Sequence, residues 1–259
     1  SLHDALPISL GSGAYITNLS AVGKALWFDG SQNAWATFTP PVVTNRTISF
    51  WYWRNCDPGP YFAANWNTGD NQSNNSMPTL ISELGTLRFR FGNQWEDSSN
   101  QSLGLKNRQV VPWFGTSTAI YLPVTAKDYA NVGFCRWVHY ALTFNVKSRT
   151  PSGNNIEDVV DCAFYVNGEK FYECSDQTTY NCVSDALATL GNRAANGLRP
   201  SCGAIDEFRI LDSVLSESQI REEFARGSSA QRQRLIAWYP LQEFSVASGD
   251  GSFPTPDKT

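Results

Sequence analysis

Apolar and polar residues alternate with a period of two along most of this chain. Ile48, Phe50 and Tyr52 alternate with Ser49, Trp51 and Trp53. Both sets are bulky, which predicts a central strand covered on each side. Residues 25–28 predict a strand with Leu26 and Phe28 inward and Trp27 on the other side, ended by a tight turn at Asp29-Gly30-Ser31. Residues 35–39 predict a second strand, which Pro40-Pro41 stops. Leu87, Phe89 and Phe91 alternate with Arg88 and Arg90, so residues 79–91 predict a hairpin. Residues 110–121 hold Trp113 and Phe114 between short strands. Residues 135–145 predict another central strand and 148–155 a turn region. Residues 161–173 predict a hairpin around Asn167-Gly168, the strongest hairpin signal in the chain.

The stretch Gly203-Ala-Ile-Asp-Glu-Phe-Arg-Ile-Leu211 predicts the strand that closes a sheet. Simple alternation puts Asp206, Phe208 and Ile210 on one face, and Ile205, Glu207 and Arg209 on the other, where Glu207 and Arg209 can pair. With Phe208 and Ile210 in the core, the Asp206 carboxylate reaches the core's edge and needs backbone donors or a cation there. The next segment is a short helix. Ser216 is its N-cap, Gln219 completes a capping box, and Leu215 with Ile220 forms a hydrophobic staple. Ile220 and Phe224 form its apolar stripe, and Gly227 ends it.

Two polar stretches break this regularity. Residues 55–78 are rich in Asn, Gly and Asp yet include Tyr61, Phe62 and Trp66, and residues 93–106 carry Trp95. Loops of that length serve a function or are partly disordered. Trp66, Trp95 and Trp113 lie in polar surroundings. Each either presents a flat ring to a sugar or partner group, or anchors its own loop from beneath.

Composition narrows the class. Aromatics make up 13% of the 259 residues and charged residues only 17%, which favours a β-rich secreted protein with a large core. A net charge of -4 offers no attraction to nucleic acid. No apolar run approaches the roughly 18 residues that a bilayer span needs. Six cysteines without Cys-x-x-Cys pairs favour disulfides in an oxidising compartment over zinc. Cys162 and Cys174 flank the Asn167-Gly168 turn and face each other if its loop has three residues. Cys182 with Cys202, and then Cys56 with Cys135, follow in a ranking that leaves other pairings open. Five sequons, at Asn18, Asn45, Asn71, Asn74 and Asn100, exceed the roughly three that chance would supply and point to a glycosylated surface. Residues 1–9 lack the basic start and apolar length of a signal peptide and are set aside as a non-native leader. Residues 10–247 read as one domain, and 248–259 as a tail or linker to a further segment.

The closing strand and helix resemble the laminin-G-like, or concanavalin-A-like, jelly-roll family in its pentraxin-related form. So do Ala25-Leu-Trp-Phe-Asp-Gly30, Ile48-Ser-Phe-Trp51, Trp137-Val-His-Tyr-Ala-Leu-Thr-Phe144, Phe164-Tyr-Val-Asn-Gly168 and Leu235-Ile-Ala-Trp-Tyr-Pro-Leu-Gln-Glu243. The resemblance implies an all-β fold: a two-sheet antiparallel jelly-roll sandwich with one short C-terminal helix. It also implies a structural Ca2+ at the outer edge, held by Asp206, the Gly30 carbonyl and Asp29. The alternative is that Asp206 accepts backbone N–H bonds.

The glucan hydrolases of this fold carry a Glu-x-Asp-x-x-Glu set on one strand, and no strand here has it. Glu222-Glu223 and Glu96-Asp97 are adjacent pairs that point different ways. His139, the one histidine beyond the leader, shares its strand face with Trp137 and Ala141 and reads as a satisfied structural residue. The expectation is therefore not an enzyme but an extracellular or cell-surface module for adhesion or recognition of carbohydrate or a neighbouring protein. The alternative is a structural repeating subunit of a filament, coat or appendage, with copies of itself as partners. Nucleic acid and membrane insertion are excluded as partners.

Overall fold

A computed structural model describes residues 8–17, 24–39, 43–54, 79–84, 87–91, 110–114, 118–119, 136–152, 155–182, 188–192, 200–227 and 235–239. Strands β1 (Ile8–Leu10), β2 (Ala14–Thr17), β3 (Ala25–Asp29), β4 (Ala36–Phe38) and β5 (Arg46–Arg54) come first. They are followed by β6 (Thr79–Leu84), β7 (Leu87–Phe91), β8 (Val110–Phe114) and β9 (Thr118–Ala119). Then come β10 (Trp137–Ser152), β11 (Asn155–Val166), β12 (Glu169–Cys182), β13 (Ala188–Leu190) and β14 (Cys202–Leu211). Helix α1 (Glu217–Arg226) and β15 (Leu235–Tyr239) complete the order. One sheet runs β1-β4-β13-β6-β7-β8-β9, and the other runs β12-β11-β10-β5-β14-β3-β2, with β15 paired to β14. This is the jelly-roll sandwich that the sequence predicts. Strand β1 begins inside the stretch set aside as a leader, pairing Ile8 with Phe38.

The core lies between the two sheets. Leu26, Phe28, Ile48, Phe50, Tyr52, Val138, Tyr140 and Phe144 come from one sheet, and Ala36, Phe38, Ala188 and Leu190 from the other. Phe38 meets Phe208 edge-on at 5.7 Å between ring centres, and Phe50 meets Tyr140 at 5.6 Å, so aromatic pairs span the layers and tie neighbouring strands. Both predicted alternations on β3 and β5 hold.

On β14 the predicted alternation fails, because the strand carries a β-bulge. Asp206 stands opposite Trp51, yet the next paired residue, Arg209, stands opposite Ser49. Three steps on β14 match two on β5, and Glu207 absorbs the difference with φ +51°. Ile205, Phe208 and Ile210 therefore face the core, while Asp206 turns to the outer face with Arg209. The bulge also marks a change of partner. Before it, β14 pairs with β3 as far as Ile205 opposite Leu26. Beyond it, Phe208 stands opposite Tyr239 of β15. At the strand's start Gly203 is obligatory, since a Cβ there would lie 2.1 Å from the Trp53 carbonyl oxygen.

The β11–β12 hairpin differs in detail from expectation. Its loop has two residues, Asn167 and Gly168, both at positive φ, with Val166 opposite Glu169. A bulge between Tyr165 and Phe164 supplies the extra residue that sets Cys162 opposite Cys174. Cys162 is disulfide-bonded. The predicted turn at 148–155 is largely strand, because β10 and β11 stay paired out to Ser152 and Asn155. Arg149 holds them there by a bidentate bond to Asp158, at 2.7 and 2.9 Å. The pairing of Cys182 with Cys202 is overturned. Cys202 is a buried thiol. Strands β11, β10 and β5 separate β12 from β14, a span of roughly 19 Å at the usual strand spacing, where a disulfide bridges at most about 7 Å between Cα atoms. Cys56 and Cys135 lie outside the described residues.

Helix α1 starts and ends as its sequence prescribes. Ser216 Oγ accepts from Gln219 N–H, Gln219 Oε1 accepts from Ser216 N–H, and Gly227 is left-handed at φ 66°. The helix packs on the outer face of the larger sheet. Leu215 and Ile220 join Ala141, Tyr165, Leu211 and Leu235 in a second apolar cluster. Beside that cluster lies a sealed polar layer. Arg209 is fully buried, pairs with Glu207, and donates to the Gly227 carbonyl at 3.3 Å. Ser49 donates to Glu223 Oε2 at 3.1 Å. Trp51 stacks on Phe224 at 5.6 Å and lies 5.2 Å from His139. His139 is buried but not satisfied, since neither ring nitrogen has a hydrogen-bond partner. Burial, reinforced by the Arg209 charge, pushes its pKa down to about 3.

Two predictions follow from this layer. Glu207→Gln leaves the buried Arg209 short of countercharge and lowers unfolding free energy by about 3 kcal/mol, read by urea denaturation. His139 must stay neutral to remain buried, so its contribution is complete above pH 6.5. That contribution falls by about 1.4 kcal/mol per unit as pH drops from 6.5 towards 3. His139→Leu therefore shows a shallower loss of stability than the parent between pH 6.5 and 4; parallel curves would refute this.

Candidate functional site

The predicted cation site is not assembled. Asp29, at the end of β3, stands opposite Cys202. Asp206 lies four residues further along β14, about 13 Å away by strand rise. One calcium ion holds its oxygens at about 2.3–2.6 Å, so Asp29 and Gly30 cannot share it with Asp206. Each carboxylate has a local task instead. Asp29 Oδ1 accepts from Ser31 N–H at 2.8 Å and shapes the turn through Gly30, which has φ 76°. Asp206 Oδ1 accepts from Glu207 N–H at 2.7 Å, inside the bulge. That is the backbone-donor alternative, and the bulge is what the two-residue alternation could not register. Among the described residues, no group of three or more His, Cys, Asp or Glu side chains is placed to hold a metal.

The remaining acidic groups near the centre are also committed. Asp158, Asp206, Glu207 and Glu223 are at most 1% exposed. Asp158 is held by Arg149 and lies 3.7 Å from Arg46, whose own pKa burial lowers to about 10. These carboxylates organise the fold and do not reach a surface where a substrate could meet them.

Of the aromatic candidates, Trp66 and Trp95 lie outside the described residues. Trp113 is on β8, opposite Arg88 of β7, with Val111 opposite Arg90. In an antiparallel pair, residues in register occupy the same face of the sheet, so Trp113, Arg88 and Arg90 are positions on one face. Asn18, Asn71, Asn74 and Asn100 lie outside the described residues, whereas Asn45 is exposed just before β5.

Sequence reasoning missed a groove at the opposite edge, where β5 begins beside β10 and the segment before α1. It encloses about 380 Å³. Asn45, Asn145, Asp212, Ser213 and Gln219 form its polar walls, with Val214 and Leu215 as its apolar part. Val214 is 39% exposed. Asn45 Oδ1 accepts from Val146 N–H at 2.8 Å, continuing the ladder one rung past Phe144 opposite Arg46. The Asn45 sequon was the one readable signal of this place. Asn145 and Asp212 are far from it along the chain and come together only through the sheet.

The family comparison agrees with this architecture. The model of the concanavalin A-like lectin/glucanases superfamily, Laminin_G_3, matches residues 29–221. No curated protein sequence matches the chain. Among solved structures, the binding domain of Paraclostridial Mosquitocidal Protein 1 superposes with a TM-score of 0.57 at 14% identity; the match covers 86% of this chain and 48% of that one, so this chain spans about half its length. Domain 4 of AbnA, a GH43 extracellular arabinanase from Geobacillus stearothermophilus solved in complex with arabinotriose, gives 0.51 at 15% identity, covering 83% and 85%. The ligand binding domain of botulinum neurotoxin serotype D, solved with N-acetylneuraminic acid, gives 0.53 at 12% identity, covering 85% and 45%. At such identities these likenesses bear on the fold alone. With three-quarters of its length matched by the family model and its strands in the same sandwich, the chain belongs to the concanavalin A-like lectin/glucanase superfamily.

Proposed function

We propose that this chain is a non-catalytic extracellular recognition module that binds glycans. The observation that carries the reading is the sealing of the central carboxylates within a family that includes both lectins and glucanases. Glycoside hydrolysis needs two carboxylates about 5–9.5 Å apart on either side of the scissile bond. Asp158, Asp206, Glu207 and Glu223 are buried beneath strand and helix instead. Two solved relatives of the fold, the arabinanase domain and the serotype D toxin domain, carry an oligosaccharide and a sialic acid respectively. The extracellular reading is supported by the bonded Cys162 and the five sequons. No helix among the described residues is long and apolar enough to cross a membrane.

Trp113 is the residue to which we assign stacking on a sugar ring, with Trp66 and Trp95 as further contributors. Arg88 and Arg90, on the same stretch of sheet, suit a ring that carries a carboxylate. A glycan array covering neutral and sialylated structures tests this, run with and without calcium. Binding is expected to survive chelation, because the carboxylates assigned to calcium do not meet. Trp113→Ala is expected to weaken the best ligand by about thirtyfold, the loss of roughly 2 kcal/mol typical of a central aromatic contact. A folded protein that binds nothing on the array would refute the reading.

A further inference from the structure

We propose that Asn45 is an occupied N-glycosylation site and that its first sugar lies in the groove beside it. The groove has no role in the glycan-recognition surface assigned to Trp113, and the proposal rests on the same secretory setting.

Three features of the groove point this way. The first is the presentation of the asparagine. Asn45 is exposed, and its Oδ1 is committed to Val146 N–H, which leaves Nδ2 as the open atom of the amide. The preceding backbone is already pinned. Arg149 donates to Thr44 Oγ1 at 3.0 Å and to the Val43 carbonyl at 3.2 Å, while Arg46 donates to the Thr44 carbonyl at 3.1 Å. Little ordering entropy is left to lose when a sugar is held there.

The second feature is the lining. Asn145, Asp212 and Gln219 offer donors and acceptors suited to hydroxyl and acetamido groups. Ser213 Oγ is buried without a hydrogen-bond partner at the groove wall, a cost that a ligand group would remove. Val214, the exposed large hydrophobic residue of the described surface, suits the apolar face of a pyranose ring.

The third feature is the sequon's hydroxyl. Thr47 Oγ1 donates to the Ser213 carbonyl at 2.6 Å and accepts from Leu215 N–H at 3.0 Å, fully buried. The hydroxyl by which the sequon is recognised is therefore unavailable once residues 213–215 have docked, so transfer must precede that docking. In the transfer, Nδ2 forms a bond to the anomeric carbon of a lipid-linked glycosyl diphosphate. Nδ2 loses one proton, the diphosphate leaves with the electron pair of the broken C–O bond, and nothing is oxidised or reduced. Once the segment docks, the threonine that licensed the transfer lies directly beneath the groove that receives the sugar.

The test uses the full chain secreted from eukaryotic cells. Peptide-N-glycosidase in isotope-labelled water, followed by peptide mapping, reads occupancy at each sequon, and hydrogen exchange reads residues 213–219. Asn45 is expected to be modified in most molecules. Exchange at 213–219 is expected to be about tenfold slower than in Asn45→Asp, which keeps the acceptor for Val146 N–H. Asp212→Ala is expected to preserve occupancy and abolish that difference. An unmodified Asn45 overturns the proposal. If other sequons are occupied in the same sample, the secretory setting stands while this site fails. An occupied Asn45 with equal exchange in both proteins overturns the seating of the sugar.

Discussion

A guanidinium with no solvent exposure is the constraint around which β14 and its surroundings are arranged. Arg209 sits in the middle of the larger sheet, on the face away from the sandwich core, and burying its charge there, away from water, demands an opposite charge and hydrogen-bond acceptors beside it. Glu207, two residues back on the same strand, provides the charge. An unbroken strand could not bury both Ile205 and Phe208 in the core, since the two have opposite parity. The bulge keeps Ile205, Phe208 and Ile210 in the core and turns Asp206 to the outer face that Arg209 occupies. The left-handed backbone at Glu207 is the local strain that accompanies this arrangement.

The helix follows from the same requirement. The outer sheet face bearing Trp51, His139 and Arg209 is shut off from water, so its polar groups need partners from whatever covers it. Helix α1 covers it with Phe224 over the indole, Glu223 bonded to Ser49, and the Gly227 carbonyl on Arg209. Its left-handed C-cap directs that carbonyl to a guanidinium, so the helix terminus and the buried cation stabilise each other. The Asn167-Gly168 turn folds under the helix as well: Asn167 N–H donates to the His139 carbonyl, and its Oδ1 accepts from His139 N–H. Strand β10, the hairpin tip and the helix are thus coupled at one residue, which explains how an unsatisfied histidine comes to lie at the centre.

The placement of charge also separates the molecule's faces. The carboxylates at the sheet centre are internal, and the helix occupies the face above them. On the smaller sheet, β7 and β8 pair with Trp113 opposite Arg88 and Val111 opposite Arg90. The groove at the other edge is walled by amides and by Asp212, without an aromatic ring in its lining. That suits holding a tethered sugar by hydrogen bonds better than capturing a free one by stacking.

Local sequence carried the elements. Alternation on Leu26–Phe28 and Ile48–Tyr52 placed side chains correctly, since a residue's face in a regular strand depends only on its parity. The capping box at Ser216 and the left-handed stop at Gly227 were equally legible, because their bonds close within one helical turn. What remained hidden depends on residues that are distant in the chain. Parity could not foresee the bulge at Glu207, because the pressure for it comes from Arg209 under a helix and from β14 exchanging β3 for β15. It therefore set Asp206 on the wrong face, and the site that the family resemblance implied for Asp206 and Asp29 is one that strand register keeps apart. The bulge between Phe164 and Tyr165, the separation of Cys182 from Cys202, and the meeting of Asn45 with Asn145 and Asp212 were likewise decided by pairing between strands. Sequence determined which segments would be strands and helix and which faces their regular portions would bury; tertiary structure alone decided the registers, because register is settled by pairing between strands that the chain order does not make neighbours.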